Sequence, residues 1–152
     1  MIPATVAEAA RELGAVLDSA PSNLGSISDA DAERPRAAGK WSRKQILGHL
    51  IDSASNNHQR FVRASLDGDL NFPGYAQEGW VDLQGYAERP WARIVGLWTE
   101  YNRQLLHIVE RIPADRLAAS CVVGGKAPVT LEFLVRDYVR HLEHHLDQVL
   151  DT

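Results

Sequence analysis

The sequence predicts an all-α protein, a four-helix bundle with long inter-helix loops. Four stretches of the 152-residue chain repeat apolar residues at the spacing of one helical face. These stretches are bounded by serine, threonine, proline or glycine, which are typical helix start and stop residues. The second and third connections are long, so the helices need not follow the simplest up-and-down path. We expect the four helices to form a single domain over residues 1–152.

Composition and charge are those of an ordinary globular protein. Hydrophobic residues make up 45% of the chain and charged residues 24%, and the formal net charge is -4. No Lys/Arg cluster stands out, which argues against nucleic-acid binding. No apolar run reaches the ~18 residues that cross a bilayer, and no signal peptide is recognisable, so we expect a cytoplasmic location. The single cysteine, Cys121, excludes an intrachain disulfide and Cys-rich zinc motifs.

The first helix is predicted over residues 4–18. Apolar residues recur there at helical spacing, with Pro3 placed to start the helix and Pro21 to stop it. Residues 22–40 are rich in Ser, Asp, Pro and Gly and have no sustained period. This segment therefore predicts a loop or a short irregular turn.

The second helix has the clearest start signal in the chain. Ser42 and Gln45 form a capping-box pattern, and Trp41 and Ile46 are placed as a hydrophobic staple around it. The helix is predicted from Ser42 to about Leu66, where an Asp-Gly-Asp sequence stops it.

The connection over residues 67–89 is long and contains aromatic residues, among them Tyr75 and Trp80. Long ordered loops in compact proteins are usually functional, so we interpret this one as a lid or a pocket wall. Residues 81–86 are expected to add one or two helical turns.

The third and fourth helices are separated by a short segment of different period. The third helix is predicted from Pro90 to Ile112. Residues 117–130 predict a small β-hairpin or a tight loop, with Pro128 weakening the strand interpretation. Thr130 is expected to cap the fourth helix, which continues to about Leu150.

Three histidines form a candidate metal site. His141 and His145 lie one turn apart at the apolar face of the fourth helix, since each residue advances ~100°. His49 on the second helix is the candidate third ligand. His58 points to the opposite side of that helix, and His144 points to solvent. A shared divalent ion would satisfy two buried imidazoles, although hydrogen-bonded core histidines are also common in bundles.

Polar residues near these histidines suggest supporting roles. Asp52 and Asp137 are each close enough in sequence to a predicted ligand to orient an imidazole or accept a proton, although most helix carboxylates are solvated. Arg60 lies on the side of the helix that carries His49. It is placed to receive an anionic substrate group or to pair with a surface carboxylate. Cys121 has no nearby group that would lower its pKa, so we expect it to be a bystander.

The chain resembles the DinB superfamily, also called DinB/YfiT-like, over nearly its whole length. The resemblance is carried by Gly39-Lys40-Trp41-Ser42, by Ile46-Leu47-Gly48-His49-Leu50-Ile51-Asp52-Ser53, by Gly79-Trp80-Val81 and by Asp137-Tyr138-Val139-Arg140-His141 through His145. It implies a four-helix metalloprotein with a divalent ion, often zinc or nickel. The ligands it implies are His49, His141 and His145.

The resemblance leaves the activity open. Members include transferases that use bacillithiol, mycothiol or related thiols, and many are labelled as hydrolases. We expect a small-molecule substrate and, most strongly, a metal-dependent transfer of a low-molecular-weight thiol, with a metal-dependent hydrolase as the alternative. A non-catalytic metal- or ligand-binding bundle, acting as a homodimer or alone, and a metal-free interaction module remain as further alternatives.

Overall fold

The computed structural model describes residues 2–151. Within that range the chain forms six α-helices and three short strands, joined by 3-10 turns at residues 86–88 and 114–116. The helices are α1 (Val6–Gly25), α2 (Asp29–Glu33), α3 (Arg43–Asp67), α4 (Gln77–Gln84), α5 (Trp91–Val109) and α6 (Leu131–Leu150), and the strands are β1 (Leu70–Phe72), β2 (Ser120–Val123) and β3 (Val129–Thr130). None of the helices in this range is both long and apolar enough to span a membrane.

The four long helices form the predicted four-helix bundle, but consecutive helices are not always neighbours. Helix α1 packs extensively against α5 and α6, and α3 packs against the same two helices. Helices α1 and α3 therefore lie on one diagonal of the bundle, and α5 and α6 lie on the other. The chain crosses the bundle end between α1 and α3 and again between α5 and α6.

Asp29 on the short helix α2 holds two helix starts together. Its carboxylate accepts a hydrogen bond from Lys44 Nζ (3.2 Å) at the start of α3 and from the backbone N–H of Trp91 (2.7 Å) at the start of α5. These contacts keep the pKa of the Asp29 carboxyl below its usual value, the bond from Trp91 most of all. Helices α3 and α5 therefore begin at the same end of the bundle.

The other two long helices run in the opposite direction. Arg43 at the start of α3 donates a hydrogen bond to the carbonyl of Val149 at the end of α6 (2.8 Å). Trp91 Nε1 at the start of α5 donates to the carbonyl of Leu24 at the end of α1 (2.8 Å). Helices α3 and α6 are therefore antiparallel neighbours, which determines where their side chains meet.

The first helix is longer than predicted, and Pro21 lies inside it rather than after it. A proline removes the helical hydrogen bond to the carbonyl four residues earlier, which here belongs to Leu17. Arg103 of α5 donates to that carbonyl at 3.4 Å and so replaces part of the lost bond. Leu24, beyond the proline, is fully buried, and its packing favours continuation of the helix.

Two further elements were not predicted. The segment expected to be a loop over residues 22–40 contains α2, whose first turn is capped by the Ser28 side chain. The loop over residues 67–89 contains β1, which pairs in parallel with β2, with Leu70 opposite Cys121. A three-residue strand has too little local pattern to be recognised, because it depends on a partner about 50 residues away in sequence.

Other predicted boundaries agree with the structure. The capping box of Ser42 and Gln45 is formed, with 3.3 Å and 2.9 Å hydrogen bonds in the two directions. The Thr130 side chain accepts from the backbone N–H of Phe133 and caps α6. Strands β2 and β3 form a hairpin, which is one of the two structures predicted for this segment, while α5 ends at Val109, earlier than predicted.

We expect replacement of Ser42 by Ala to destabilise the fold by ~1 kcal/mol, because the Gln45 N–H loses its acceptor. For a chain of this size that corresponds to a fall in Tm of about 2–4 °C. Chemical and thermal unfolding followed by circular dichroism measures the change. Ser42→Asp keeps an acceptor and is the control. Equal stability of Ser42→Ala and the wild type would show that the cap contributes nothing.

Candidate metal centre

Three imidazoles meet where α3 crosses the second half of α6. One ligand atom from each of His49, His141 and His145 lies within 4.8 Å of the other two. The Nε2 atoms of His49 and His141 are 3.3 Å apart, and the His49 ring lies against the His145 ring with centroids separated by 5.0 Å. His49 is buried, and the two histidines of α6 are partly buried. The structure thus brings together all three histidines that the sequence predicted as ligands.

The three imidazoles have lowered pKa values, which favours binding of a cation. Burial lowers the pKa of His49 and of His141 to about 4, and it also lowers the pKa of His145. The imidazoles are therefore neutral at pH 7, which metal ligation requires. His145 Nδ1 lies 2.9 Å from the Gln148 side-chain oxygen. Because that oxygen only accepts, Nδ1 carries the proton and Nε2 presents its lone pair to the cluster.

The spacing of the cluster fits a divalent ion. Tetrahedral zinc with nitrogen ligands at about 2.0–2.1 Å holds those nitrogens about 3.3–3.4 Å apart. The 3.3 Å between the Nε2 atoms of His49 and His141 matches this separation. Three protein ligands leave one position open, which is the pattern of catalytic sites rather than structural ones. That these three side chains ligate a metal stays a prediction from their chemistry and placement.

A cavity of about 300 Å³ adjoins the cluster on the side of His141. Its walls come from α3, α6, the segment after β1, and the hairpin of β2 and β3. The lining residues are Ser53, Asn57, Arg60, Gly74, Tyr75, Gln77, Val123, Gly124, Lys126, Leu134, Asp137, Tyr138 and His141. The segment over residues 67–89 is thus a pocket wall, one of the two roles predicted for it.

The two aromatic residues of this wall have different positions. Tyr75 lines the cavity, whereas Trp80 packs on Tyr75 with ring centroids 5.1 Å apart and does not line it. Trp41, just before the α3 cap, lies instead on the histidine cluster, with its ring 5.3 Å from that of His49. The residue just before the α3 cap therefore also covers the buried imidazole.

Asp52 does not orient an imidazole, contrary to one of its predicted roles. It is fully buried, and its Oδ1 accepts hydrogen bonds from the Tyr86 hydroxyl (2.7 Å) and the Gln84 side-chain amide (3.0 Å). Nδ1 of His49 has no hydrogen-bond partner among the residues described. Burial raises the pKa of Asp52, and the two donors counteract part of that increase.

Gly48 makes the contact of Tyr86 with Asp52 possible. A Cβ at position 48 would lie 2.1 Å from the Tyr86 ring, closer than any side chain allows. The ring instead rests directly on the α3 backbone, one residue before His49. The Asp52 carboxylate is thereby fixed by the segment that follows α4.

Asp137 is also engaged elsewhere. Its Oδ1 accepts two hydrogen bonds from Arg140, at 3.0 and 2.7 Å, although it lies at the edge of the cavity. His58 bonds to the Tyr101 hydroxyl at 2.9 Å, away from the cluster, and His144 is exposed, as the sequence predicted for both. Cys121 lies on β2 and is fully buried, and burial raises the pKa of its thiol, in keeping with the predicted bystander role.

Some cavity residues were missed by the sequence reasoning. Asn57 follows His49 and Ser53 at intervals of four, so helical spacing was a sufficient signal for it. Lys126 lies in the hairpin turn, and no local pattern connects it with the histidines. Its position depends on the pairing of β2 with β1, which folds the hairpin towards α3.

Fold and site together define a four-helix bundle with a three-histidine cluster beside an open cavity. The sequence model of the DinB superfamily matches residues 8–149, and the chain belongs to this superfamily. The predicted family and fold class are therefore confirmed.

Two relatives are distant from this chain in sequence but have similar names. A protein of Oceanobacillus iheyensis named "Putative metal-dependent hydrolase OB0413" is 22% identical over 126 residues, covering 83% of this chain and 72% of its own length. "Putative metal-dependent hydrolase YfiT" of Bacillus subtilis is 21% identical over 141 residues, covering 90% and 79%.

The solved structure of YfiT from Bacillus subtilis superposes with a TM-score of 0.80 at 20% identity, covering 93% of this chain and 83% of that one. That protein is described as "a probable metal-dependent hydrolase with an unusual four-helix bundle topology". The fold is therefore shared, including departure from the simplest bundle path.

We expect about one divalent ion per chain, and its loss on replacing His141 or His145 by Ala, because two imidazoles hold an ion weakly. Elemental analysis after gel filtration measures the occupancy. His144→Ala is the matched control, since His144 is an exposed neighbour of His145. Full occupancy in either ligand variant would rule out the three-histidine site.

We expect Gly48→Ala to destabilise the protein by about 1–3 kcal/mol, because the added Cβ overlaps the Tyr86 ring and separates its hydroxyl from Asp52. Urea unfolding measures the change. Gly96→Ala on α5 is the control: a Cβ there meets no atom within 4 Å, so helix propensity should make it neutral or stabilising. Similar effects of the two substitutions would contradict the close-contact explanation.

Proposed function

We propose that the protein is a metal-dependent enzyme that activates a nucleophile brought from solution, and that this nucleophile is a low-molecular-weight thiol. The observation that carries the proposal is the cluster of His49, His141 and His145 beside the cavity. A bound zinc or nickel ion would lower the pKa of a thiol or a water in its open position and supply a nucleophile near neutral pH.

The cavity itself offers no activated protein nucleophile. Cys121 is buried with a raised pKa, and it does not line the cavity. Ser53 lines the cavity, but none of the described histidines or carboxylates hydrogen-bonds to its hydroxyl as a base would. The nucleophile must therefore enter with the substrates, and the residues of the chain bind and orient them.

The positions of the carboxylates favour a thiol over water as that nucleophile. Asp137 is the only carboxylate among the described lining residues, and Arg140 already binds it. Asp52 does not line the cavity; Tyr86 and Gln84 bind its Oδ1, and its Oδ2 is buried without a partner among the described residues. Without an available carboxylate base, a thiol with an ordinary pKa near 8.5 gives up its proton far more readily than water does.

The alternative is a metal-dependent hydrolase, and it is favoured by the similarity of the chain to relatives that are named "Putative metal-dependent hydrolase". The same histidines and the same cavity would serve it, with water in place of the thiol. The two activities differ in which nucleophile is required, so one experiment separates them.

We expect zinc- or nickel-loaded protein to accelerate the reaction of cysteine or another small thiol with 1-chloro-2,4-dinitrobenzene, measured by absorbance. The sulfur forms a bond to the ring carbon, chloride leaves with the bonding electron pair, and the thiol proton goes to solvent. The rate should need both metal and thiol, and His49→Ala should abolish it. Cys121→Ser is the control and should retain full activity.

A parallel assay with a chromogenic ester completes the test. Ester hydrolysis that needs the metal but no thiol would replace the transferase with the hydrolase. Absence of both activities over a panel of thiols and electrophiles, with the metal still bound, would favour a binding protein without catalysis.

A further inference from the structure

We infer that the cavity beside the three histidines holds a carboxylate group of the substrate on Arg60. Arg60 lies on α3, lines the cavity and is only 8% exposed. Its Nε is buried without a hydrogen-bond partner, and none of the salt bridges among residues 2–151 includes it. Its guanidinium carbon lies 5.5 Å from the centre of the Phe72 ring.

A guanidinium in this position lacks the partner that burial normally requires. Charged groups are rarely buried unless they are paired, because water no longer solvates them. The Phe72 ring compensates only part of that loss, since a cation–π contact is weaker than a bidentate ion pair. An anion in the cavity would complete the set of hydrogen bonds, and the planar fork of Arg60 suits a carboxylate.

The other charges around the cavity indicate a singly charged anion. Lys126 lines the cavity from the hairpin turn, and Asp137 lines it from α6. Lys126 is exposed to solvent and Arg140 binds Asp137, so Arg60 contributes the one buried positive charge of the described lining that has no partner. In the zinc-free protein a monocarboxylate balances that charge, whereas the second charge of a phosphate would be left unbalanced and would meet Asp137.

Arg60 lies far from His49 along α3, so it would bind the substrate at a distance from the reacting atoms. Arg60 follows His49 by eleven positions on α3, which corresponds to about 16 Å along the helix axis between the two backbone sites. Arg60 and His141 nevertheless line the same cavity of about 300 Å³. A small substrate would therefore bind with its carboxylate at Arg60 and its reactive end towards the histidines. Arg60 is in this sense a positioning residue.

This inference rests on the proposed function only in calling the ligand a substrate. Its test therefore measures binding rather than turnover. Benzoate, phenyl phosphate and uncharged benzamide share one ring and differ in charge. Isothermal titration of zinc-loaded and zinc-free protein with each compound measures their affinities without any thiol or electrophile.

We expect benzoate to bind the zinc-free wild type more tightly than phenyl phosphate or benzamide, and to bind the zinc-loaded wild type as well. Arg60→Met should weaken benzoate binding at least about tenfold, because a charge-assisted hydrogen bond is lost. Arg63→Met is the matched control: Arg63 lies on the exposed side of the same helix and bonds to Gln59. It should bind benzoate as the wild type does.

Stability without ligand distinguishes a binding role from a structural one. Removing an unpaired buried charge should leave the Tm of Arg60→Met equal to or above that of the wild type, with zinc content unchanged. If Arg60→Met does not fold, Arg60→Gln takes its place in both measurements.

Four outcomes would overturn the inference: no benzoate binding by the wild type, undiminished binding by the Arg60 variant, tighter binding of phenyl phosphate or benzamide than of benzoate by the zinc-free wild type, or a clearly lower Tm of the variant. Failure of the thiol-transfer assay leaves this result unaffected, because benzoate binding needs neither thiol nor catalysis.

Discussion

The antiparallel packing of α3 against α6 is the contact on which the site depends. It places His49, near the start of α3, opposite His141 and His145, in the second half of α6. Leu50 and Leu142, which follow His49 and His141 in the sequence, are both buried, so the imidazoles have apolar neighbours. A slip of one helix by a single turn, about 5.4 Å, would separate the three rings. The apolar packing therefore controls the geometry of the polar cluster.

The small sheet has a comparable effect on the other side of the cavity. Its parallel pair β1 and β2 ties the segment after α3 to the hairpin before α6, and Gly124 N–H donates to the carbonyl of Phe72 at 2.9 Å. Tyr75 and Lys126 lie just beyond the paired residues. Backbone hydrogen bonds therefore hold this wall of the cavity in place, although the sequence pattern alone predicts only a long loop there.

What the sequence could predict was local or periodic. The Ser42 capping box and the i, i+4 histidine pair of α6 each consist of residues that are close in sequence, so their geometry follows from helical spacing. The third histidine was found because it lies on the same helical side as Ser53 and Arg60. Three of the four long helices were located with small boundary errors. The exception was α1, whose continuation through Pro21 needs a hydrogen bond from α5.

What the sequence could not predict depends on distant partners. Strand β1 exists because β2 pairs with it, and the role of Asp52 is determined by Tyr86, which reaches it over Gly48. Asp52 follows His49 by three residues, and this spacing indicated an interaction between the two side chains. The structure shows that a tyrosine 34 residues further on takes the place of His49. Pairings of this kind have no signature in a single sequence.

The diagonal arrangement of the bundle has a consequence for synthesis on the ribosome. Helix α1 is made first, but its packing partners are α5 and α6, which are made in the second half of translation. The next long helix to be made, α3, has few contacts with α1. The N-terminal half of a nascent chain therefore holds two amphipathic helices with exposed apolar faces, and such intermediates invite chaperone binding and aggregation. Because two of the three histidines are on α6, the site can form only after α6 has been synthesised.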